Sequence, residues 1–373
     1  MTIGLLKEPA FESRTSFLPE HVSLLKKMKV SLLVESGAGA TAFASDEKYL
    51  EAGATVTSRN EVLQQSDLLV AIHPISTADL DLCKGKVLIG FFQALFQATT
   101  IEAWAQANCT VFSMDMLPRT TRAQSMDVLS SQANIAGYKA VLLAATKYSR
   151  YFPMFMTAAG SIAPAKVLIL GAGVAGLQAI ATAKRLGAVI EVFDTRPAVK
   201  EEVMSLGAKF VEVEGAADAS KAGGYAVEQS EAFMERQKAK IAESVAKADI
   251  VITTAQIPGR KAPILITKEM IHHMRSGSVI IDLAASTGGN TECTRNDETI
   301  MEQGVMIVGN SQLPASMPSD ASKLYGKNII NFLALIVDKE GNLNLNFSDD
   351  LVQGTCVAHG GIVTNERVKS LIG

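Results

Sequence analysis

Residues 166–170 read Lys-Val-Leu-Ile-Leu and run straight into Gly171-Ala-Gly173-Val-Ala-Gly176. A helical stretch follows to Leu186, and then Val189-Ile-Glu-Val-Phe193 closes on Asp194. No other feature restricts the fold so tightly. A lone GxGxxG is weak, but this one follows a strand, opens a helix and is succeeded about 20 residues later by an acid at a strand end. Gly171 makes the tight turn, Gly173 lets the backbone approach a pyrophosphate, and Gly176 permits close helix–sheet packing. The helix N-terminus adds free N–H groups and positive dipole potential for the phosphates. Asp194 should accept hydrogen bonds from an adenosine ribose and repel a 2′-phosphate, which favours NAD(H) over NADP(H). Arg196 could pair such a phosphate, but only once the acid beside it was neutralised.

The 373-residue chain has room for two or three domains. Apolar residues make up 48% and charged ones 20%, an ordinary globular balance. With a net charge of −3 and no basic stripe interleaved with aromatics, nothing points to nucleic acid. Cys83, Cys109, Cys293 and Cys356 lie far apart without ligand spacing, which predicts reduced thiols and no metal site. The N-terminus lacks a secretory pattern, and no apolar run of about 18 residues predicts a spanning helix. Direct membrane insertion is not expected.

Strand-like and helix-like segments alternate through both halves. Strands are expected at residues 2–6, 30–34, 68–72 and 86–90, with helices at 19–28 and 46–52. A second series of strands is expected at 167–170, 189–193, 208–213, 250–253, 278–282 and 306–308. That alternation predicts an α/β protein with two Rossmann-like domains, parallel sheets and the cofactor in the cleft between domains. Residues 123–148 contain no proline and predict one long helix, a spine between domains. An apolar helix at 328–337 is expected to pack back on the first domain. The expected division is therefore 1–130 plus 311–373, a linking helix at 131–150, and a nucleotide domain at 151–310. Gly37 and Gly39 read as a turn rather than a phosphate loop. The Gly-, Ala- and Ser-rich segment 215–231 reads as a functional or disordered loop.

Oxidising a hydroxyl or amine needs a proton acceptor near the nicotinamide. His272 and His273 look like a solvated helix face, and His21 is expected to be exposed. His73, at a strand end in Ala-Ile-His-Pro, is the one plausible base, with a structural role as the stronger alternative. Hydride passing between two nicotinamides needs no acid or base, so weak acid–base furniture favours dinucleotide-to-dinucleotide transfer. Arg119, Arg122, Gln124, Asp127 and Ser130 crowd between an apolar strand and the long helix. Asp127 and Ser130 could simply cap that helix. Capping explains neither Arg119 nor Gln124, whereas a Gln amide can pair a nicotinamide carboxamide and an Arg–Asp pair can hold it rigid.

The run Pro118-Arg-Thr-Thr-Arg-Ala-Gln-Ser-Met-Asp-Val-Leu-Ser-Ser-Gln-Ala-Asn-Ile-Ala-Gly-Tyr138 resembles the nicotinamide-side loop of the NAD(H)-binding component, domain I of the alpha subunit, of proton-translocating NAD(P) transhydrogenases. So do Met156-Thr-Ala-Ala-Gly160, the 173–187 segment, Ala222-Gly-Gly-Tyr225, Thr253-Thr-Ala-Gln-Ile-Pro-Gly259 and Ile280-Ile-Asp-Leu-Ala284. The similarity spans nearly the whole chain. It implies that Arg119, Gln124, Asp127 and Ser130 position the nicotinamide, with Tyr138 beside them and Arg122 in the same loop. It also implies nucleotide contacts from Val174, Asp194, Thr195, Arg196, Gly224, Gln237 and Gln256, with Tyr225 on a mobile loop that closes over the site.

The resemblance implies Re/Si-specific, proton-translocating activity in which NADH gives hydride to NADP⁺ held on a partner subunit. It further implies a homodimer, membrane-spanning partner subunits, and a cytoplasmic place peripheral to the inner membrane. The related alanine dehydrogenases share the fold. Their N-terminal motif reads Arg14-Thr-Ser-Phe-Leu-Pro19 here, their substrate lysine falls near Ala71-Ile-His-Pro74, and their catalytic histidine near Gly90-Phe-Phe-Gln-Ala94. Those departures argue against amino-acid oxidation, which stays as the alternative beside a non-catalytic NAD sensor. Ala284-Ala-Ser-Thr-Gly-Gly-Asn290 and Gln256 depart from the transhydrogenase pattern.

Overall fold

The computed structural model describes residues 1–213 and 230–372. In chain order its strands are β1 (Thr2–Leu5), β2 (Ser31–Glu35), β3 (Thr55–Thr57), β4 (Leu68–Ala71), β5 (Val87–Gly90), β6 (Thr110–Ser113), β7 (Phe155–Thr157) and β8 (Gly160–Ile162). They continue as β9 (Lys166–Leu170), β10 (Val189–Phe193), β11 (Lys209–Phe210), β12 (Ile250–Thr253), β13 (Val279–Asp282), β14 (Thr299–Glu302), β15 (Val305–Val308), β16 (Cys356–His359) and β17 (Ile362–Val363). Every residue of β4, β5, β12 and β13 is buried. Such near-continuous Val/Ile/Leu runs suit parallel strands covered on both faces.

Two compact units emerge: Met1–Gln132 with Ala315–Gly373, and Ala133–Pro314. The first holds an eight-stranded sheet ordered β17-β16-β6-β5-β4-β1-β2-β3. It is parallel from β3 through β6, with β16 and β17 antiparallel. One face packs on helices Pro19–Lys27 and Pro318–Ile336 through Val22, Leu25, Ile329, Phe332 and Leu333. The other packs on helices Arg59–Gln65 and Ala98–Gln106 through Val62, Leu63, Ile101 and Trp104.

The second unit holds a seven-stranded sheet ordered β11-β10-β9-β12-β13-β15-β14, in which only β14 is antiparallel. Ala140, Val141, Ala144, Ala179, Ile180 and Ala183 cover one face, and Ile241, Val245 and Ile271 the other. The strand order reverses direction between β9 and β12. The C-terminal ends at such a reversal are where an open α/β sheet leaves a crevice for ligands.

The sequence expectations hold for most strands, and the chain adds some they omitted. β3, β6, the β7–β8 hairpin, β14, β16 and β17 have weak or short apolar patterns. The expected strand at 208–213 reduces to two residues. The expected 123–148 helix instead begins at Val128, because Asp127 takes an extended ψ of 93° after a 3₁₀ turn at Thr121–Met126. The Asp127 carboxylate accepts the Ser130 N–H at 2.9 Å and its hydroxyl at 2.5 Å, a local cap that stops the helix where propensity alone would continue it. The helix at 328–337 begins earlier, at Pro318.

His21 is a clear correction: it is 3% exposed, not solvated. Its Nδ1 accepts the Leu18 N–H and its Nε2 donates to the Lys323 carbonyl, which fixes one neutral tautomer. Gly37 does sit in a turn, with φ +76°. Among the described residues no helix is long and apolar enough to cross a membrane, and no cluster of side chains could hold a metal.

Candidate nucleotide-binding site

In the second unit, β9 delivers the chain into the glycine turn at the sheet reversal. Gly171 has φ +107°, and a Cβ there would lie 2.3 Å from Thr254 Oγ1. Gly176 sits so close to the turn that a Cβ would stand 1.9 Å from the Gly171 carbonyl oxygen. Both positions therefore exclude any side chain for reasons internal to the fold. Gly173 differs. A Cβ at Gly173 would meet nothing within 4 Å, and its φ of −76° is open to any residue. The room left there faces away from the protein, as a pyrophosphate needs. Gly173 also caps helix Val174–Arg185 without a side-chain bond. The first-turn N–H groups stay available to an anion.

Asp194 lies beside this turn. Its Oδ2 accepts the Ala172 N–H at 2.7 Å, so the carboxylate braces the glycine loop as well as marking the strand end. Arg196 folds back on it: Nε and the backbone N–H reach Oδ1 at 2.9 and 2.8 Å, and Nη2 reaches Oδ2 at 2.8 Å. The hydrogen bonds from Asp194 push the Arg196 guanidinium further up from its ordinary range. Arg196 is thus an ion-pair partner of the acid. Thr195 is half-buried between them, and Val174 is exposed at the helix start.

Across the reversal, Thr254 donates to the carbonyls of Leu170 and Gly171 at 3.3 and 3.1 Å. Gln256 is exposed, and its Nε2 donates to the Leu283 carbonyl at 3.0 Å. Asn290, fully buried, accepts the Ala255 N–H at 3.0 Å and donates to the Ala255 and Pro263 carbonyls, both at 2.8 Å. The buried Asp282 holds Asn290 and Thr294 in turn, at 2.7 and 2.6 Å. Sequence reasoning missed this latch, although the apolar strand ending in Asp282 and the Gly-Gly-Asn that follows signalled a constrained turn.

Tyr138 is half-buried on the long helix next to Gly137, where a Cβ would come within 2.0 Å of the Ala175 carbonyl. That close approach sets the long helix against the start of the phosphate-loop helix. Gln237 is half-buried on helix Glu231–Lys247, which Ser230 caps. Gly224 and Tyr225, with most of the 215–231 loop, lie outside the described residues.

In the first unit, the segment carrying Arg119, Arg122, Gln124, Asp127 and Ser130 is pinned by its apolar residues. Ala123, Met126 and Val128 enter the core, while Arg119, Arg122 and Gln124 are exposed. Arg122 pairs with Asp349 at 2.6 Å and with Asp350, not with Asp127. Asp127 and Ser130 bond each other, as helix capping requires. The Ser125 carbonyl accepts Nδ2 of both Asn328 and Asn331 at 2.8 Å, and Ser131 donates to Asn328 Oδ1 at 2.7 Å. Neither asparagine stood out in the sequence.

His73 has no free role as a base. Its Nε2 donates at 2.8 Å to the buried Glu12, which also takes Arg14 in a two-pronged ion pair. Burial alone would raise the Glu12 carboxyl, but Arg14 and His73 outweigh it and hold it down at about 2. Glu8 accepts the N–H groups of Ile72 and His73 at 2.6 and 3.1 Å, and burial pushes its carboxyl up to about 7. Glu8 and His73 line a cavity of about 320 Å³ at the C-terminal ends of β1 and β4.

Family models for the N- and C-terminal domains of alanine dehydrogenase/PNT match residues 4–136 and 140–366. The chain is 44% identical over 364 residues to the first of the separate polypeptides of the NAD(P) transhydrogenase alpha subunit of Rhodospirillum rubrum, covering 95% of each. A solved transhydrogenase from Sinorhizobium meliloti superposes with a TM-score of 0.89 at 43% identity, over 97% of this chain and 100% of that one. Alanine dehydrogenase 1 of Staphylococcus aureus is 25% identical over 99% of this chain and 96% of its own length. This chain therefore belongs to the alanine dehydrogenase/PNT family, on its transhydrogenase-alpha side.

Proposed function

We propose that this chain binds NADH as the hydride donor of an NAD(P) transhydrogenase and that NADP⁺ is held by a separate partner subunit. The observation that carries the reading is the Gly171–Gly176 turn with Asp194 braced on Ala172, joined in one chain to the Arg119–Ser130 segment. In this reading Gly171, Gly173, Val174, Gly176, Asp194, Thr195, Arg196 and Gln256 serve the adenosine and pyrophosphate. Gln237, Gly224 and Tyr225 belong to the same set. Arg119, Gln124, Asp127, Ser130 and Tyr138 serve the nicotinamide, with Arg122 anchoring their loop through Asp349.

Asp194 supports NAD(H) as the preferred nucleotide. Its charge is braced on the loop and would oppose a 2′-phosphate, and Arg196 is already engaged in neutralising it. Binding NADH would supply a hydride, and the protein's own part is to hold the ring and keep the donor carbon aligned. His73 is engaged with Glu12, which supports a reaction needing no proton acceptor.

The reading extends to a homodimer, to membrane-spanning partner subunits, to coupling with proton translocation, and to a cytoplasmic place peripheral to the inner membrane. Re/Si stereospecificity belongs to the same proposal. The exposed apolar hairpin β7–β8 supports the dimer: Tyr151, Met154, Phe155 and Met156 are 45–74% exposed, and the Tyr151 and Phe155 rings stack at 5.1 Å. Incubating the chain with L-alanine and NAD⁺ alone tests the function against the dehydrogenase alternative. No NADH should form; steady NADH production would overturn the proposal.

A further inference from the structure

Gln124 is the most exposed kind of residue to ask for alignment. It lies on a single 3₁₀ turn, Thr121–Met126, that has no sheet partner. An exposed amide can orient a ring only if the backbone beneath it is held, because a misplacement of about 1 Å costs about 100-fold in rate. The turn is tied at two other points: Arg122 to Asp349 and Asp350 before Gln124, and the Asp127–Ser130 cap after it. Between these lies Ser125, whose carbonyl takes both of its possible hydrogen bonds from one helix.

We infer that Asn328 and Asn331 are positioning residues for hydride transfer, a pair of amides on helix Pro318–Ile336 that clamps the Ser125 carbonyl and so fixes Gln124. The inference rests on the proposed function and goes beyond it, to residues that do not touch the nucleotide.

Three observations carry it. The two asparagines stand three apart, so both face the same side of the helix. Both Nδ2 atoms reach the Ser125 oxygen at 2.8 Å, filling its two lone pairs. Asn328, 8% exposed, also turns its Oδ1 to the Ser131 hydroxyl at 2.7 Å, so one side chain joins the 3₁₀ turn to the first turn of the long helix that carries Ser130. A buried amide costs stability unless each polar atom is paired, and an apolar residue would fill the space more cheaply. Its use is in fixing the position of the segment.

The test uses Asn328→Asp, which keeps the acceptor for Ser131 but turns an oxygen toward the Ser125 carbonyl. With NADH, thio-NADP⁺ and the NADP(H)-binding component of the complex at saturation, the hydride-transfer rate should fall about tenfold, and NADH affinity should stay within about twofold. Amide exchange in peptides covering residues 118–131 should quicken at least tenfold, with the rest of the chain unchanged. A general packing role would lower affinity and rate together, and that result would overturn the inference. Unchanged exchange would overturn it too. Should Asn328→Asp fail to fold, the half-buried Asn331→Asp takes its place, with at least a threefold loss of transfer expected and no loss contradicting the clamp. If the unsubstituted chain transfers no hydride, the function fails, while the exchange measurement still decides the clamp.

Discussion

Gly173 and Glu8 show two residues whose roles only neighbouring atoms reveal. A Cβ at Gly173 meets no protein atom within 4 Å, so Gly173→Ala should leave the melting temperature within about 2 °C. The same methyl group would enter the path of the pyrophosphate, and NADH affinity in a fluorescence titration should drop at least tenfold. Unaltered affinity would move the phosphates elsewhere. In sequence, a glutamate just past a strand reads as solvated, and nothing singles out Glu8. Burial instead holds its carboxyl at about 7, against an ordinary 4.5. The folded chain thus binds this proton more tightly than the unfolded chain. The resulting stability is complete below pH 4.5 and is lost as pH rises through about 7. That gap corresponds to at most about 3 kcal/mol. Glu8→Gln should flatten the fall in urea-midpoint stability between pH 4.5 and 7. Glu12, held down at about 2, loses its contribution only in strong acid and does not mask the effect.

At the scale of elements, what the sequence made legible follows the strength of the pattern. Strands β9, β10, β12 and β13 and their glycine turn were readable because burial on both faces leaves long apolar runs. The break at Asp127 was not, since one carboxylate bonding Ser130 overrides a continuous helical composition. The clamping asparagines were hidden because their partner is a backbone carbonyl about 200 residues away in sequence. The hairpin β7–β8 escaped too, its three-residue strands lying below any periodicity. With every residue of β7 exposed, its apolar side chains argue for a second copy of the chain. Sedimentation equilibrium should report a dimer, and Met156→Asp should shift it toward monomer without loss of helical signal. A monomeric unsubstituted protein would remove that role from the hairpin.

For the whole molecule, the two units carry different halves of the proposed task. The second braces its glycine turn with Asp194 and latches the facing loop through Asn290. The first offers the Gln124 segment on a rigid mount, and its best-placed histidine is committed to Glu12. The sequence predicted this division of labour from two motifs. The anchoring of each motif became visible only in three dimensions. The most direct measurement follows hydride from NADH to thio-NADP⁺ by absorbance, with and without the NADP(H)-binding component. Transfer should require that component, and Gln124→Asn should slow it while nearly preserving NADH affinity. Transfer by this chain alone, or none when the component is present, would contradict the account.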